Sequence, residues 1–457
     1  MLVYNKEKKM LEPEEYKFEL QDVKEPNLLR ETFSYSDIPK IAFNNTVVPM
    51  NPPEHIWMTD TTFRDGQQAF PPFTVDQISH LFDLMHRLGG PNGMIRQTEF
   101  FLYSDKDKEA VRKCQEKGYE FPQITSWIRA NKNDFKLVKE MGIKETGILT
   151  SCSDYHIFLK LKKTRREALD MYLDIVRAAL EEGIVPRCHF EDITRADFYG
   201  FVIPFAKELM KLSKQAKMPV KIRACDTLGF GVAYPGVALP RNVNGIMYGL
   251  NHHAGVPSEW LEWHGHNDFY RALTNSTFAW LYGCSGINGT LLGIGERTGN
   301  TPIEALAIEY VAFRGDHNGM DLSAITEIAK YFKNELKYDV PNMQPFVGAH
   351  FNSTRAGIHA DGLLKEQEIY NVFDTKAILN RPPEVAITDR AGLAGIAYWI
   401  NTQHPDFKDN DKKLDKNHPG VVKIKEYIDE LFKGDRRNPL TKEELNSLVE
   451  KYIIKSL

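Results

Sequence analysis

Short apolar runs recur along residues 55 to 300 of this 457-residue chain, and their spacing limits the folds that are open to it. Eight runs of strand length begin at positions 55, 94, 121, 145, 185, 220, 260 and 286, so neighbouring starts are 24 to 40 residues apart. Each interval has room for one helix, and segments 137–142 and 175–183 have the pattern of helices that end at a glycine. Eight strands alternating with helices are typical of a (β/α)8 barrel, which can run to 250 residues or more as one domain.

The ends of these runs distinguish the barrel from a doubly wound open sheet, which has the same alternation. Nearly every run ends in polar or ionisable residues, as in HIWMTDTT, VPRCHFED and WLEWHGHND. A barrel explains this, because its active site is built at the carboxyl ends of its strands. We therefore predict an α/β protein, a (β/α)8 TIM barrel with a mainly helical C-terminal subdomain.

Three regions are expected along the chain. Residues 1–54 are polar and contain prolines, and we interpret them as an N-terminal extension that lies on the main domain. Residues 55–330 form the predicted TIM-barrel catalytic domain. Residues 331–457 begin with a linker that contains two prolines and continue as helical segments, the last of which starts with the capping pattern of Thr441 and Glu444.

Charge and cysteine content narrow the class of function. The chain has 58 Lys and Arg against 62 Asp and Glu, a formal charge of −4, so we expect neither a nucleic-acid-binding surface nor a polybasic membrane segment. The sequence contains no run of about 18 apolar residues, so we expect no transmembrane helix. The charged N-terminal stretch lacks the apolar centre of a signal peptide. Five cysteines without CxxC spacing favour reduced thiols and a cytoplasmic location.

The run WHGHND contains a candidate metal site. His264 and His266 are two residues apart, so on a strand they point to the same side and can share one metal ion. An HxH pair is more often two packing or surface histidines, but this pair lies at the carboxyl end of the seventh of eight strands. The first strand ends in DTTFRDGQQ, and a carboxylate from this run, Asp60 or Asp65, would complete a nitrogen and oxygen set suited to Mn, Co, Zn or Mg. Arg64 would then stabilise negative charge that develops on an oxygen nearby.

Other interpretations of these segments stay open. Asp-Gly is a common turn dipeptide, in which Arg64 would simply pair with an Asp. The glycines of GIGERTGN, after the eighth strand, resemble a dinucleotide loop, but the spacing is GxGxxxG and the position is wrong, so we reject a dinucleotide site. Glu296 and Asn300 are instead candidates for oxygen ligands or for residues that support the ligands.

Together, these motifs resemble those of the DRE-TIM metallolyase superfamily. DTTFRDGQQ, HGHND and GERTGN occur in that family's order, and the resemblance covers roughly residues 55–400. Within it, the chain is similar to the branch of isopropylmalate, homocitrate, citramalate and Re-citrate synthases, which condense acetyl-CoA with a 2-oxo acid. The resemblance implies a divalent metal (Mn2+, Co2+, Mg2+ or Zn2+) held by Asp65, His264 and His266, with Asn300 as a further ligand. It also implies that Arg64 is the catalytic arginine.

The resemblance extends to four further residues. Glu191 in HFED matches the family's catalytic glutamate, and Thr227 in CDTLG matches a threonine that contacts the bound oxo acid. The segment STRAGIHADGLLKEQEIYNVF is similar to one that carries a catalytic histidine and, eleven residues later, a tyrosine; His359 and Tyr370 have this spacing. In the family this segment reaches the partner subunit's active site, so the resemblance implies a homodimer with shared active sites.

Departures from the family pattern bear on which 2-oxo acid is bound. Gln67 stands where the family usually has Glu, which removes a negative charge beside the substrate and favours a dicarboxylic oxo acid. Gln97 or Glu99, in the second strand, is a candidate for substrate binding, and Arg129 is a candidate for gripping a distal carboxylate in bidentate fashion. Arg223 is a further candidate, unless the alternation of its strand turns it outward.

The whole pattern predicts an acyltransferase that uses acetyl-CoA. The tail is too short and too helical for the strand-rich leucine-sensing domain of isopropylmalate synthases, and homocitrate synthases generally lack both the N-terminal extension and the charged tail. The chain is therefore most similar to the Re-citrate synthases, with oxaloacetate as the acceptor; homocitrate and 2-isopropylmalate synthases are the alternatives. Glu191 working with His359 would remove a methyl proton from acetyl-CoA, and hydrolysis of the thioester would make the reaction irreversible.

Two other classes of protein share parts of this pattern. A metal-dependent acyl-CoA lyase shares the barrel and the metal set, but it should lack the GIHADG segment that this chain has. A catalytically inactive barrel should have lost at least one of the motif residues, and none is missing.

Overall fold

The computed structural model describes residues 2–6, 10–13, 18–407 and 413–456, and it divides the chain into two compact units, 1–321 and 322–457. The strands of the first unit are β1 (Leu2–Asn5), β2 (Met10–Pro13), β3 (Trp57–Asp60), β4 (Ile95–Phe100), β5 (Gln123–Ile128), β6 (Glu145–Ser151), β7 (Val185–Glu191), β8 (Lys221–Asp226), β9 (Leu261–Gly265) and β10 (Gly286–Gly289). Its helices are α1 (Val75–Gly89), α2 (Asp105–Gln115), α3 (Phe135–Glu140), α4 (Arg165–Glu181), α5 (Ile203–Ala216), α6 (Val243–Tyr248), α7 (Ala272–Leu281) and α8 (Ile303–Arg314).

Strands β3 to β10 close into a parallel barrel, in which β10 pairs with both β9 and β3. At the closing seam, Asn288 lies opposite His264 on one side and Thr59 on the other. Each barrel strand begins within two residues of the start of its predicted run. The predicted (β/α)8 barrel is therefore confirmed.

Helix boundaries follow local sequence signals. α1, α2, α4 and α14 (Lys442–Tyr452) each begin with a capping box, in which the N-cap hydroxyl and the side chain three residues on satisfy each other's backbone N–H. The predicted cap at Thr441 is thus confirmed. The helices expected at 137–142 and 175–183 belong to α3 and α4, and Gly142 and Gly183 follow these helices with φ of +65° and +72°. A glycine tolerates these left-handed angles without strain.

Residues 18–54 lie on the first unit as an irregular chain held by hydrogen bonds from the barrel's loops and helices. The buried Arg165 donates to the carbonyl of Gln21 over 2.9 Å, and Arg241 donates to that of Lys40 over 2.9 Å. Phe43 forms a β-bridge with Val237. Among the described residues, no helix combines the length and apolar composition needed to cross a bilayer.

The second unit is helical and has its own apolar core. Its elements are α9 (Ala324–Asn334), β11 (Ser353–Thr354), α10 (Gly357–Lys365), α11 (Thr375–Leu379), β12 (Glu384–Val385), α12 (Gly392–Gln403), α13 (Pro419–Phe432) and α14. The core is formed by residues on α10, α12, α13 and α14, among them Ala360, Leu363, Ile396, Ile400, Ile424, Ile428, Leu445 and Val449. The predicted helical C-terminal region is confirmed.

The interior of the barrel contains a closed ring of four charged side chains, Glu99, Arg187, Glu262 and Arg223, which come from β4, β7, β9 and β8. Each is at most 5% exposed. Arg187 contacts Glu99 through Nη2 at 2.7 Å and Glu262 through Nε at 3.4 Å. Arg223 contacts Glu99 through Nη1 at 3.0 Å and Glu262 through Nε at 2.7 Å. Negative and positive charges therefore alternate around the ring.

The ring is charged and balanced at neutral pH. Burial alone would raise the pKa of both glutamates, but nearby arginines outweigh this effect. Arg223 and Arg64 lower the pKa of Glu99, and Arg223 and Arg187 lower that of Glu262. The pKa of Glu99 lies well below 4.5, and that of Glu262 falls to about 2. Burial lowers the pKa of the neighbouring His189 to about 3, so this imidazole adds no further positive charge.

The ring generates a prediction for stability. Glu99→Gln should destabilise the barrel by about 3 to 5 kcal/mol, because buried guanidinium groups would lose their counter-charge. The measurement is urea-induced unfolding followed by tryptophan fluorescence, since five of the six tryptophans lie in the first unit. The control is Glu208→Gln, which breaks the solvent-exposed pair of Glu208 with Lys211 and should cost less than about 1 kcal/mol. Equal midpoints for the two variants would contradict the prediction.

Candidate active site

Side chains from the loops after β3, β9 and β10 meet at the carboxyl end of the barrel. Asp65 lies in the turn that follows β3, His264 lies near the end of β9, and His266 follows directly after that strand. His266 and Asn300 form a β-bridge, which ties the loop after β10 to the end of β9. Gly299 permits the turn of that loop, because its φ is +86° and a Cβ would lie 2.0 Å from the carbonyl oxygen of Gly293.

Asp65, His264 and His266 form a buried cluster in which the candidate ligand atoms lie within 4.8 Å of one another. Asp65 Oδ2 is 3.4 Å from His264 Nε2 and 3.6 Å from His266 Nε2, and the two Nε2 atoms are 3.2 Å apart. Donors that each lie about 2.1 Å from one ion are separated by about 3.0 to 3.4 Å in octahedral or tetrahedral coordination. The side chains therefore fit a single divalent cation.

The protonation states of this cluster suit metal binding. Burial lowers the pKa of His264 to about 3 and also lowers that of His266, so both imidazoles are neutral at neutral pH and offer a lone pair. Burial would raise the pKa of Asp65, but the charge of Arg64 and the hydrogen bond from Asn300 lower it, and the carboxylate is ionised. Asn300 donates from Nδ2 to Asp65 Oδ2 over 2.7 Å, while its buried Oδ1 has no hydrogen-bond partner in the protein. That free oxygen is the kind of atom that a cation would satisfy.

Arg64 lies beside the cluster and is held from inside the barrel. Its Nε donates to Glu99 Oε1 over 2.9 Å, and its Nη1 is 3.6 Å from Asp65 Oδ1. Glu99 is a member of the interior ring, so the ring fixes the guanidinium through one nitrogen and leaves its other N–H groups available. Of the two alternatives considered on β4, Glu99 rather than Gln97 contacts this site.

Glu191 ends β7 and is surrounded by donors that the sequence did not indicate. The Ser151 hydroxyl donates to Glu191 Oε2, the Nδ1 atom of His156 lies 3.0 Å from that oxygen, and the Nζ atom of Lys160 lies 3.5 Å from it. Burial would raise the pKa of Glu191, but His156, Ser151 and Lys160 lower it to about 2. The carboxylate is therefore ionised at neutral pH. His156 and Lys160 are 35 and 31 positions before Glu191, so no local pattern links them to it.

Thr227 lies in the next loop and connects the strand ends. Its hydroxyl accepts a hydrogen bond from the backbone N–H of Asp192 over 2.8 Å, and its carbonyl accepts one from Arg297 over 2.5 Å. Arg297, in GERTGN, also pairs with Asp268 of HGHND at 2.8 Å. The loops after β7, β8, β9 and β10 are thus tied together around the barrel mouth.

Two glutamines predicted to bind substrate have both ends of their amide groups engaged. Gln67 donates to the carbonyl of Phe63 and accepts from the backbone N–H of Phe73, so it shapes the turn after β3. Gln97 donates to Glu145 and accepts from Arg187, both over 2.9 Å. Gln97 also lines a cavity of about 280 Å3 that is bounded by the first residues of β3, β5, β8, β9 and β10, at the end of the barrel opposite to Asp65. The structure does not bring Gln97 to the cluster.

Arg129 and Arg223 are not members of the Asp65 cluster, and the last two predicted residues belong to the second unit. Arg129 follows β5, has a side chain that is 64% exposed, and pairs through Nε with Asp134 at 3.2 Å. Arg223, which the sequence left undecided, points inward and belongs to the ring. His359 and Tyr370 lie in the second unit with ring centroids 4.5 Å apart. The Tyr370 ring packs directly against Gly362, where a Cβ would lie 2.5 Å from it.

Comparison with known proteins gives a consistent result. Residues 55–331 match the family model described as HMGL-like. The chain is 57% identical to the citrate (Re)-synthase of Syntrophus aciditrophicus over 99% of this chain and 72% of that protein. It is 58% identical to the citrate (Re)-synthase of Clostridium kluyveri over 95% of this chain and 96% of that protein. It is also 35% identical to the 2-phosphinomethylmalate synthase of Streptomyces hygroscopicus, over 94% of this chain and 98% of that protein.

The family model spans the barrel, from the first residues before β3 to α9, and it includes each of the three motifs on which the resemblance was based. The predicted resemblance is confirmed: the chain belongs to the HMGL-like family.

Proposed function

We propose that this protein is an acyltransferase of the Re-citrate synthase type, which condenses acetyl-CoA with oxaloacetate and hydrolyses the thioester to give citrate and coenzyme A. The observation that carries the proposal is the convergence of Asp65, His264 and His266 beside Arg64 at the carboxyl end of the barrel. The names of the two citrate (Re)-synthases, each more than half identical to this chain, support oxaloacetate as the acceptor.

A divalent cation is the cofactor that the site fits. Asp65, His264 and His266 would hold it, with Asn300 Oδ1 as a further ligand, and Mn2+, Co2+, Mg2+ and Zn2+ are compatible with this donor set. When bound, the cation supplies Lewis-acid polarisation of the keto group of the 2-oxo acid.

Arg64 is proposed to stabilise the negative charge that develops on the former keto oxygen. Its Nε is fixed by Glu99, so the guanidinium has a defined direction before substrate binds. A donor that is already oriented loses little energy to reorganisation when charge develops, and removal of one such donor typically costs about 100-fold to 1000-fold in rate. Thr227 is proposed to contact the oxo acid, and Arg129 remains the candidate for the distal carboxylate.

Glu191 is proposed to accept the methyl proton of acetyl-CoA. It is ionised at neutral pH and only partly exposed, so it can take up a proton. A carboxylate with a pKa of about 2 is a weak base, however, because three neighbouring donors stabilise its charge. We therefore propose that the imidazole of His359 also takes part in the proton transfer. Tyr370, whose ring lies next to that of His359, is proposed to assist this transfer.

We also propose that the enzyme is a homodimer in which the His359 segment serves the partner subunit's site, as the family resemblance implies. The cytoplasm is the proposed location. All five cysteines are buried free thiols, which supports a reducing compartment.

The choice of acceptor is tested by thiol release from acetyl-CoA with a panel of 2-oxo acids. Oxaloacetate should give the highest kcat/KM, and Arg64→Ala should lower the rate by about 100-fold or more. Lys211→Ala, on the exposed face of α5, is the control and should retain full activity. Preference for 2-oxoisovalerate would instead identify an isopropylmalate synthase, and preference for 2-oxoglutarate a homocitrate synthase.

The cation site is tested by chelation and by mutation. Chelator treatment should abolish thiol release, and Mn2+, Co2+ or Mg2+ should restore it. His266→Ala should lower Mn2+ affinity by about 10-fold or more in equilibrium dialysis, since one ligand matters at least as much as the groups that support ligands. His317→Ala, which alters an exposed histidine, should bind Mn2+ like the unaltered protein. Full turnover in a preparation verified to be free of metal would rule out the site.

Sharing of sites between subunits is tested by mixing inactive variants. His359→Ala and Glu191→Ala should each be nearly inactive, and after subunit exchange the activity should rise to about a quarter of wild type, because half of the dimers are mixed and each has one intact site. The matched control is Arg64→Ala mixed with Glu191→Ala. Arg64 and Glu191 belong to the same barrel, so both sites of every mixed dimer would carry a lesion and no recovery is expected. Absence of recovery with His359→Ala after verified exchange would contradict the sharing.

A further inference from the structure

A chain of hydrogen bonds inside the barrel connects the interior ring to the candidate metal ligand His264. The Thr59 hydroxyl donates to Glu262, the Asn288 amide bonds to Thr59 Oγ1 over 3.0 Å, and Asn288 Oδ1 is 2.7 Å from His264 Nδ1. All four side chains are buried, with at most 5% exposure. Each contact is direct, and we call these three hydrogen bonds from Glu262 to His264 the relay.

The direction of every bond in this chain is determined by its first member. Glu262 contacts the guanidinium groups of Arg187 and Arg223, and a carboxylate paired in this way can only accept, so the Thr59 hydroxyl proton must point to it. Thr59 Oγ1 is then left as an acceptor, and the Asn288 amide must turn its NH2 group toward it. The opposite orientation of the amide would bring two oxygens to within 3.0 Å with no proton between them.

The same logic reaches the imidazole. With its NH2 group on Thr59, Asn288 presents its oxygen to His264 Nδ1, and an amide oxygen can only accept. Nδ1 must therefore carry the proton. With the ring proton on Nδ1, the nitrogen left for a cation is Nε2, and this is the nitrogen that faces Asp65 and His266.

We propose that Glu262, Thr59 and Asn288 are positioning residues that hold His264 in the tautomer protonated on Nδ1, so that Nε2 is always ready to bind the cation. The inference rests on the cation site of the proposed function and deepens it. Metal-binding histidines commonly donate their second N–H to an oxygen, and the groups behind them typically change metal affinity by about 10-fold to 100-fold. Here the orientation is set by a charged ring three bonds away.

The relay connects the interior ring to the candidate metal site. Arg223 contacts both Glu262, which begins the relay, and Glu99, which holds Arg64. The candidate catalytic arginine and the candidate metal ligand are therefore fixed by the same four charges. Substitution along the relay should disturb metal binding while leaving the Arg64–Glu99 contact in place.

The tautomer can be measured without any cation. Solid-state NMR of chelator-treated full-length protein labelled with 15N-histidine reports which ring nitrogen is protonated, and the His264 signals are assigned by their loss in His264→Asn. The unaltered protein should show His264 protonated on Nδ1 and bare on Nε2. A proton on Nε2 would overturn the proposal, whatever the mutants do.

The cause is tested with Thr59→Val, which removes the hydroxyl but keeps the shape of the side chain. In this variant the Asn288 amide has lost the Thr59 oxygen that fixed its direction, so His264 should become a mixture of tautomers. Mn2+ affinity in equilibrium dialysis should fall by about 10-fold or more. Thr150→Val is the matched control: it removes an equally buried barrel hydroxyl, which bonds to the carbonyl of His189 and has no part in the relay. It should leave the His264 tautomer and Mn2+ affinity unchanged.

The outcomes separate the relay from the cation site. An unchanged tautomer in folded Thr59→Val would overturn the relay, and so would equal losses of Mn2+ affinity in the two threonine variants. If the unaltered protein fails to bind any divalent ion, the cation site of the proposed function fails, and the tautomer measurement still decides whether the relay orients His264. Should Thr59→Val not fold, Asn288→Ala removes the oxygen that accepts from Nδ1 and should give the same loss of a fixed tautomer.

Discussion

The interior ring of Glu99, Arg187, Glu262 and Arg223 is the arrangement on which the rest of the barrel depends. Burial of four charges carries a large desolvation cost, which mutual contact on both sides of every charge helps to offset. The ring therefore acts as a geometric constraint: β4, β7, β8 and β9 must be in register for all four contacts to form together. Most barrels of this type fill their centre with branched apolar side chains, which impose no such requirement.

The constraint extends from the barrel centre to its mouth through specific bonds. On one side, Glu99 orients Arg64; on the other, Glu262 orients Thr59, Asn288 and finally His264. Side chains on the barrel strands therefore fix the residues of the candidate site, in addition to the loops that carry some of them. Groups held in this way lose little freedom when substrate binds, which is what a site for charge stabilisation requires.

How much of this was predictable depends on the range of the interaction. The barrel followed from apolar runs at regular spacing. The meeting of His264 and His266 with a carboxylate of DTTFRDGQQ followed from two local motifs and the rule that strand ends meet, while the choice of Asp65 over Asp60 came from the family resemblance. Depth along a strand was not predictable: Gln97 and Glu99 point to the same side of β4, yet one lines the far end of the barrel and the other contacts Arg64. Neither was the orientation of Arg223, since both faces of a barrel strand can be buried and alternation does not tell inside from outside.

The position of His156 at the candidate site was also not predictable from the sequence. This residue affects the chemistry proposed there. Its contact with Glu191 joins residues on different βα units, and it lowers the pKa of the carboxylate on which proton abstraction would depend. A site that weakens its own base must gain rate elsewhere, because proton transfer to a weak base is unfavourable on its own. In the proposed function, the participation of His359 in the proton transfer is one such contribution, and stabilisation of the enolate would be another. Under the proposed mechanism, the donors that hold the Glu191 carboxylate ionised would also favour negative charge on an acetyl group placed beside it.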